Sequence, residues 1–289
     1  MNWKTLSFAV LLTALSTYLW AQEPVLNSPG TVSAGNSVKL ATQGRGSATF
    51  YLVGPNRVVK RQISLGEEIE IAAEDLKTAG RYQAIACNGG NCGNAEFNVI
   101  ASQGAQLIFF LHPSRVPVSS GNAVNATALV LDREKNMVLS PAKVNFKIDL
   151  PDGSSSTRMV PATHGIAFFA MDSRSRQGKV QVTASIDDVS EPRVIQQVAA
   201  EACGLRMTAS PVGRFVSFQT DPIRDCGGNP LPDGTIVSFT KTDSTGRSTV
   251  DSPIKKDRAV ARFEVSGSAK VSVACGVVVG NELSLGGAQ

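Results

Sequence analysis

Five cysteines and two histidines are the residues of this 289-residue chain whose types suit nucleophilic, redox or metal chemistry. Cys87 and Cys92 stand closest together, in "AIACNGGNCGNAEF", with four small polar residues between them. A C-x4-C spacing by itself is compatible with a metal site, a redox pair or a clamp across a hairpin tip. Zinc would need further ligands near by, and the only histidines, His112 and His164, lie downstream, beside Pro113 and Gly165. Those neighbours place both imidazoles in solvated turns. A Ser-His-Asp hydrolase is not indicated either, because no G-x-S-x-G turn occurs to expose a nucleophile. Glycine-rich "GNCGN" has no helix after it to complete a phosphate cradle. The loop "DPIRDCGGNPLPDG" gathers Asp221, Asp225, Asn229 and Asp233, oxygen donors of the kind calcium accepts. Tight turns call for the same residue types, and the spacing fits no EF-hand, so no metal is assigned there. No cofactor is implied by any of these groups.

Compartment decides the chemistry of the thiols. "MNWKTLSFAVLLTALSTYLWAQEP" places Lys4 before an uncharged, largely apolar run from Leu6 to Trp20, followed by Ala21 and polar sequence. This is the layout of a secretory signal peptide over residues 1–21. The run is shorter than the roughly 20 apolar residues of a membrane-spanning helix, and no later stretch supplies one, so the expected mature chain has no transmembrane segment. Secretion to the periplasm, the cell surface or beyond puts Cys87, Cys92, Cys203, Cys226 and Cys275 in an oxidising space, where disulfides are favoured over zinc. The odd count leaves one thiol over, either inert and buried or available to link two chains. A net charge of only +4, spread along the sequence, argues against a nucleic-acid partner.

The elements that must position these residues are strands. Short alternating or β-branched segments recur, among them "ATFYLV", "RYQAIAC", "AKVNFKID", "KVQVTASI", "TIVSFTKT" and "KVSVACGVVV", and turn groups such as "VGPN", "PDGSS" and "DSTG" separate them. No segment after the first 21 residues sustains a helical apolar period for three turns. An internal repeat sets the boundaries. "DREKNMVLSPAKVNF" from Asp132 matches "DCGGNPLPDGTIVSF" from Asp225 without a gap, placing Asp132, Asn136, Val144 and Phe146 in register with Asp225, Asn229, Val237 and Phe239. Further on, "IAFFA" answers "VARFE", and "GKVQVTA" answers "AKVSVAC". The expected organisation is an all-β chain of three tandem immunoglobulin-like sandwiches, over residues 22–101, 102–200 and 201–289.

The repeated pattern, "P…V…A…V.D…N…P…V.F…G.A.F…G.V.V.A", resembles the bacterial immunoglobulin-like domains of invasin- and intimin-type surface proteins across residues 102–289. Residues 22–101 resemble a generic immunoglobulin-like module, in which "EDLKTAGRYQAIAC" approaches strand F and Tyr82 takes the tyrosine-corner position. With that assignment Cys87 ends strand F, Cys92 begins strand G, and "NGGN" is the loop between them. The two face each other across an antiparallel pair, so the clamp is favoured over metal. The same topology brings Cys203, Cys226 and Cys275 to one pole of the third sandwich. Of the pairings it allows, Cys203 with Cys275 is favoured because it ties the first strand to a late one, with Cys203–Cys226 the alternative. The resemblance implies an exported, non-enzymatic protein acting in adhesion, spacing or recognition, with an unknown protein or glycan at the cell surface as partner. Asn88, Asn91 and Asn94 at the F–G loop are the candidate contact residues. The chain is expected to be a monomer, with a disulfide-linked dimer through the odd cysteine as the exception. The alternatives are an accessory module of a larger exported complex and an enzyme with an unrecognised site. No barrel, lectin-like tip or wall anchor appears in the sequence, so host-cell invasion is not implied.

Overall fold

The computed structural model describes residues 23–286 and is built from strands, with one 3-10 turn at Ala73–Asp75. The expected signal peptide lies outside the described residues. The described residues divide into two compact units, with the boundary between Ser102 and Gln103.

Eight strands build the first unit: β1 (Val25–Leu26), β2 (Thr31–Ser33), β3 (Val38–Gln43), β4 (Ser47–Val53), β5 (Val58–Ser64), β6 (Glu68–Ile71), β7 (Gly80–Asn88) and β8 (Asn91–Ile100). They form two sheets, ordered β1-β3-β6 and β2-β8-β7-β4-β5. Strand alternation sends Leu40, Phe50, Leu52, Ile71, Tyr82, Ala84, Ala86 and Phe97 into the space between the sheets, where all are buried. The antiparallel ladders are interrupted at β2, which pairs parallel with β8. That short parallel strand lets the first strand of an immunoglobulin-like sandwich serve both sheets. Tyr82 stacks on Phe97 with ring centroids 5.5 Å apart, and its hydroxyl donates to the Thr78 carbonyl at 3.0 Å. The tyrosine corner is thus present.

In the second unit the same plan occurs twice. Strands β9 (Gln106–His112), β10 (Arg115–Pro117), β11 (Val124–Leu131), β12 (Ala142–Asp149), β13 (Ser155–Ala162), β14 (Ile166–Met171), β15 (Gly178–Ile186) and β16 (Val189–Val198) make sheets ordered β14-β11-β9 and β10-β16-β15-β12-β13. Strands β17 (Met207–Val212), β18 (Phe215–Thr220), β19 (Ile236–Asp243), β20 (Gly246–Pro253), β21 (Val260–Glu264), β22 (Ala269–Cys275) and β23 (Val278–Leu285) make sheets ordered β17-β18-β21 and β20-β19-β22-β23. Among the described residues of this copy no strand matches β2 and β10. Instead the Asn281 side chain of β23 accepts from the Met207 N–H at 2.7 Å and donates to the Met207 carbonyl at 3.0 Å, as a neighbouring strand would.

The repeated sequence becomes a repeated structure. Val144, Phe146, Val237 and Phe239 are all fully buried. Asp132 accepts from the Asn136 main-chain N–H at 2.8 Å and from its amide at 3.0 and 3.2 Å. For Asp225 and Asn229 the same three bonds are 2.8, 2.9 and 3.1 Å. In both turns the residue before the asparagine is left-handed, Lys135 with φ 68° and Gly228 with φ 82°.

Candidate functional site

The F–G hairpin of the first unit is built by two strands whose register pairs Cys87 with Cys92 and Asn88 with Asn91, leaving Gly89 and Gly90 as the turn. This is tighter than the four-residue loop read from the sequence. Both glycines have positive φ, 57° and 94°, the requirement of a type I′ turn, so the ladder runs two residues further than "NGGN" suggests. Flanking a two-residue turn, Asn88 and Asn91 form the hydrogen-bonded pair, and Cys87 and Cys92 form the closer, non-hydrogen-bonded one. Their Cα atoms are 4.1 Å apart and their sulfurs are bonded. Strand alternation then divides the candidate contact residues between two faces. Asn88 and Asn91 lie on the side of Ala86 and Tyr82, and the Asn88 amide donates to the Arg45 carbonyl at 3.2 Å. Asn94 pairs with Ile85 on the outer face, the side that carries the disulfide. The tip therefore brings Asn88 and Asn91 together and sets Asn94 apart. At Gly93 any side chain would meet the Pro24 carbonyl, with a Cβ–O distance of 1.7 Å, so glycine lets the first residues of the sandwich pack against the hairpin.

At the pole of the third sandwich the structure corrects the expected pairing: Cys203 is bonded to Cys226, with Cα atoms 4.7 Å apart, and Cys275 is free. The cause is local backbone pairing. The chain entering the sandwich runs antiparallel to the loop after β18, with Ala202 opposite Asp225 and the Cys203 N–H donating to the Arg224 carbonyl at 2.8 Å. Cys203 and Cys226 meet as a result. Cys275 has the inward parity of Val271 and Val273 on β22 and belongs to the core. Burial pushes its thiol above the ordinary range. A buried Cys275 argues against the disulfide-linked dimer.

The oxygen-rich loop is occupied with its own hydrogen bonds. Besides receiving Asn229, the Asp225 carboxylate accepts from the Ala200 N–H at 3.0 Å. Asn229 donates to the Ser175 carbonyl at 2.8 Å and accepts from the Gln177 N–H at 3.1 Å, binding the third sandwich to the second. Asp233 accepts from the Lys256 N–H at 3.0 Å. Asp225 and Asn229 are thus bonded to each other as well as to backbone groups, Asp233 is turned to a different backbone N–H, and no group of three or more His, Cys, Asp or Glu able to hold a metal ion occurs among the described residues. His112 stacks on Phe110 with ring centroids 6.4 Å apart, and His164 occupies a left-handed turn position with φ 51°. No helix among the described residues is long and apolar enough to cross a membrane.

One surface escaped the sequence reading. On the outer face of the β14-β11-β9 sheet, Thr127 is flanked by Phe168 and Phe110, and Leu129 by Ile166 and Ile108. The phenylalanines are 55% and 45% exposed, and the isoleucines 40% and 41%. A signal was present in "LIFFLH" and "IAFFAM", where apolar residues occupy both strand parities instead of alternating with polar ones.

No protein-family model matches the chain, and neither does any curated protein sequence. Solved structures do match. The chain is similar to FdeC, a broadly conserved Escherichia coli adhesin, with a TM-score of 0.60 and 17% identity over 92% of this chain and 96% of that one. It is also similar to invasin, a bacterial integrin-binding protein, with a TM-score of 0.52 and 12% identity over 89% of this chain and 57% of that one. At these identities the likeness speaks for architecture. The fold is that of tandem immunoglobulin-like β-sandwiches shared with bacterial surface adhesins, as the sequence resemblance implied.

Proposed function

We propose that the chain is an exported, non-enzymatic adhesion or recognition protein, processed after residue 21, with sandwiches at residues 22–101, 102–200 and 201–289 that hold binding loops in fixed positions. Its partner is a protein or glycan at a cell surface, and the F–G hairpin of the first sandwich is the contact element. The observation that carries the reading is the Cys87–Cys92 bond across a two-residue turn. A tip already closed and ordered loses little freedom on binding, where each mobile side chain would cost about 0.5 to 1.5 kcal/mol to immobilise. Two disulfides fit an oxidising extracellular or surface location. The shared fold of FdeC and invasin supports adhesion. Asn88 and Asn91 supply amide donors and acceptors at the tip, and Asn94 does so on its outer flank.

Binding of the purified chain to arrays of extracellular-matrix proteins and surface glycans tests this. A variant with "NGGN" replaced by another two-residue type I′ hairpin of the same register should lose capture at least tenfold while keeping its unfolding midpoint. Equal capture by both proteins would remove the hairpin from the binding surface.

A further inference from the structure

The apolar outer face of the β14-β11-β9 sheet has two controls within the same chain. In the first unit the corresponding sheet, β1-β3-β6, carries Lys39, Glu68 and Glu70 on its outer face, with Lys39 and Glu68 3.5 Å apart. In the third sandwich, β21 repeats β14 as "VARFE" against "IAFFA". The inward residues agree: Phe169 and Phe263 are buried, as are Ala167 and Ala261. The outward ones do not, because Arg262 and Glu264 stand where β14 has Phe168 and Ala170. No outward position of β9, β11 or β14 holds Lys, Arg, Asp or Glu. One fold thus has its outer sheet charged in the first and third copies and free of Lys, Arg, Asp and Glu in the second, so the sandwich itself does not require the apolar face.

We propose that this face docks against the same face of a second copy of the chain. Its residues are arranged symmetrically about the central strand β11, as Phe-Thr-Phe in one row and Ile-Leu-Ile in the next. A two-fold axis parallel to β11 sets Phe110 of each copy over Phe168 of the other and Ile108 over Ile166. That is the self-complementarity an isologous interface requires, with the sheets packed face to face about 10 Å apart. Other occupants fit less well. A glycan site needs several convergent polar groups, and the centre of this face offers Thr127 alone. An anionic lipid surface calls for lysine and arginine, and the outward positions have neither. Three strands about 4.8 Å apart and roughly 20 Å long give a face of order 300 Å². That is in the range of functional surface patches but below the roughly 800 Å² per side of a stable complex, so the dimer is weak and reversible, to be measured at chain concentrations of about 10 µM to 1 mM, where such complexes form.

Sedimentation equilibrium of the full chain over that range tests the proposal. The weight-average mass of the unaltered chain should rise from one chain toward two. Phe168→Arg, which installs the residue the sister strand carries at Arg262, should hold the mass at one chain to at least tenfold higher concentration with an unchanged unfolding midpoint. Phe110→Glu should do the same. Mixed one to one, the F110E and F168R chains should regain mass, because the proposed axis sets residue 110 of one copy against residue 168 of the other. A single-chain mass for the unaltered protein throughout, a dimer indifferent to F168R, or a mixture no heavier than its parts would overturn the proposal. So would F168R-sensitive binding of the single chain to zwitterionic phospholipid vesicles, which would assign the face to a lipid surface.

Discussion

Asp225 receives three hydrogen bonds from Asn229, and Asn229 uses its remaining amide capacity on Ser175 and Gln177 of the preceding sandwich. One aspartate–asparagine turn therefore closes its own loop and ties two sandwiches together. Asp132 and Asn136 form the same turn, so the motif is a unit of the repeat. Burial opposes the charge on Asp225, but donors from Asn229, Ala200 and Gly227 outweigh it and hold the carboxyl below the usual carboxylate range.

A depressed carboxyl stabilises the fold at any pH above its unfolded value, near 3.9, and that contribution is lost as the pH falls through the folded value. Asp225→Ala should cost about 3 kcal/mol at pH 7, since several buried N–H groups lose a charged acceptor. Asp225→Asn does not titrate. Urea midpoints of the unaltered and Asp225→Asn chains should keep a constant difference at pH 7 and 5 and converge only below about pH 4, where the unaltered chain loses more. Parallel curves would place the acid sensitivity elsewhere.

The two disulfides should differ in worth. Loop closure predicts about 2 kcal/mol for Cys87–Cys92, which encloses few residues, and about 3 kcal/mol for Cys203–Cys226, whose sequence separation is 23. Serine replacement of each pair, followed by denaturant unfolding, checks the order. Loss of the hairpin bond should also speed amide exchange at Gly89 and Gly90. Non-reducing peptide mapping should return both pairs, and Cys275 should resist alkylation until the chain unfolds, being buried and held protonated.

What could be read from the sequence was what alternation and turn chemistry encode. Phe146 and Phe239 declare themselves by register, and Asp132 and Asp225 by a repeated offset to asparagine. Pairing among Cys203, Cys226 and Cys275 was not readable, because it depends on how the entering chain runs along the loop after β18, a non-local contact with no periodic signature. The hairpin was read one residue too loose at each side, since glycine pairs suit both long loops and type I′ turns. Also hidden was a packing device common to the first two sandwiches. Arg61 lies opposite Phe50 and Arg158 opposite Phe146, each with its guanidinium over a core phenylalanine, Phe50 at 5.4 Å and Phe169 at 4.9 Å. An arginine on an edge strand reads as solvated surface until the facing ring is known.

The equivalence of the repeated phenylalanines can be measured. Phe146→Ala and Phe239→Ala should each cost about 3 to 5 kcal/mol, because both rings are fully buried between two sheets. Arg158→Ala should cost about 1 kcal/mol, the worth of a partly exposed cation over a ring. A phenylalanine variant within about 1 kcal/mol of the unaltered chain would mean that its sandwich repacks around the cavity.

Tyr82 offers the sharpest test of the first sandwich. Its ring is buried against Phe97, and its hydroxyl bridges four residues back to the Thr78 carbonyl at 3.0 Å. Tyr82→Phe keeps the ring and removes only the hydroxyl, so its cost should be that of one part-buried neutral hydrogen bond, about 1 kcal/mol. Tyr82→Ala opens a cavity as well and should cost about 3 to 5 kcal/mol. Gly54 separates the two terms again, since a Cβ there would come within 2.4 Å of the Tyr82 ring. Gly54→Ala should therefore destabilise the unaltered chain by pushing the ring off its bond, and should cost markedly less in a Tyr82→Ala background, where the space is free. Additive costs in that double-mutant cycle would show that Gly54 and Tyr82 act independently and that the corner does not depend on this close approach.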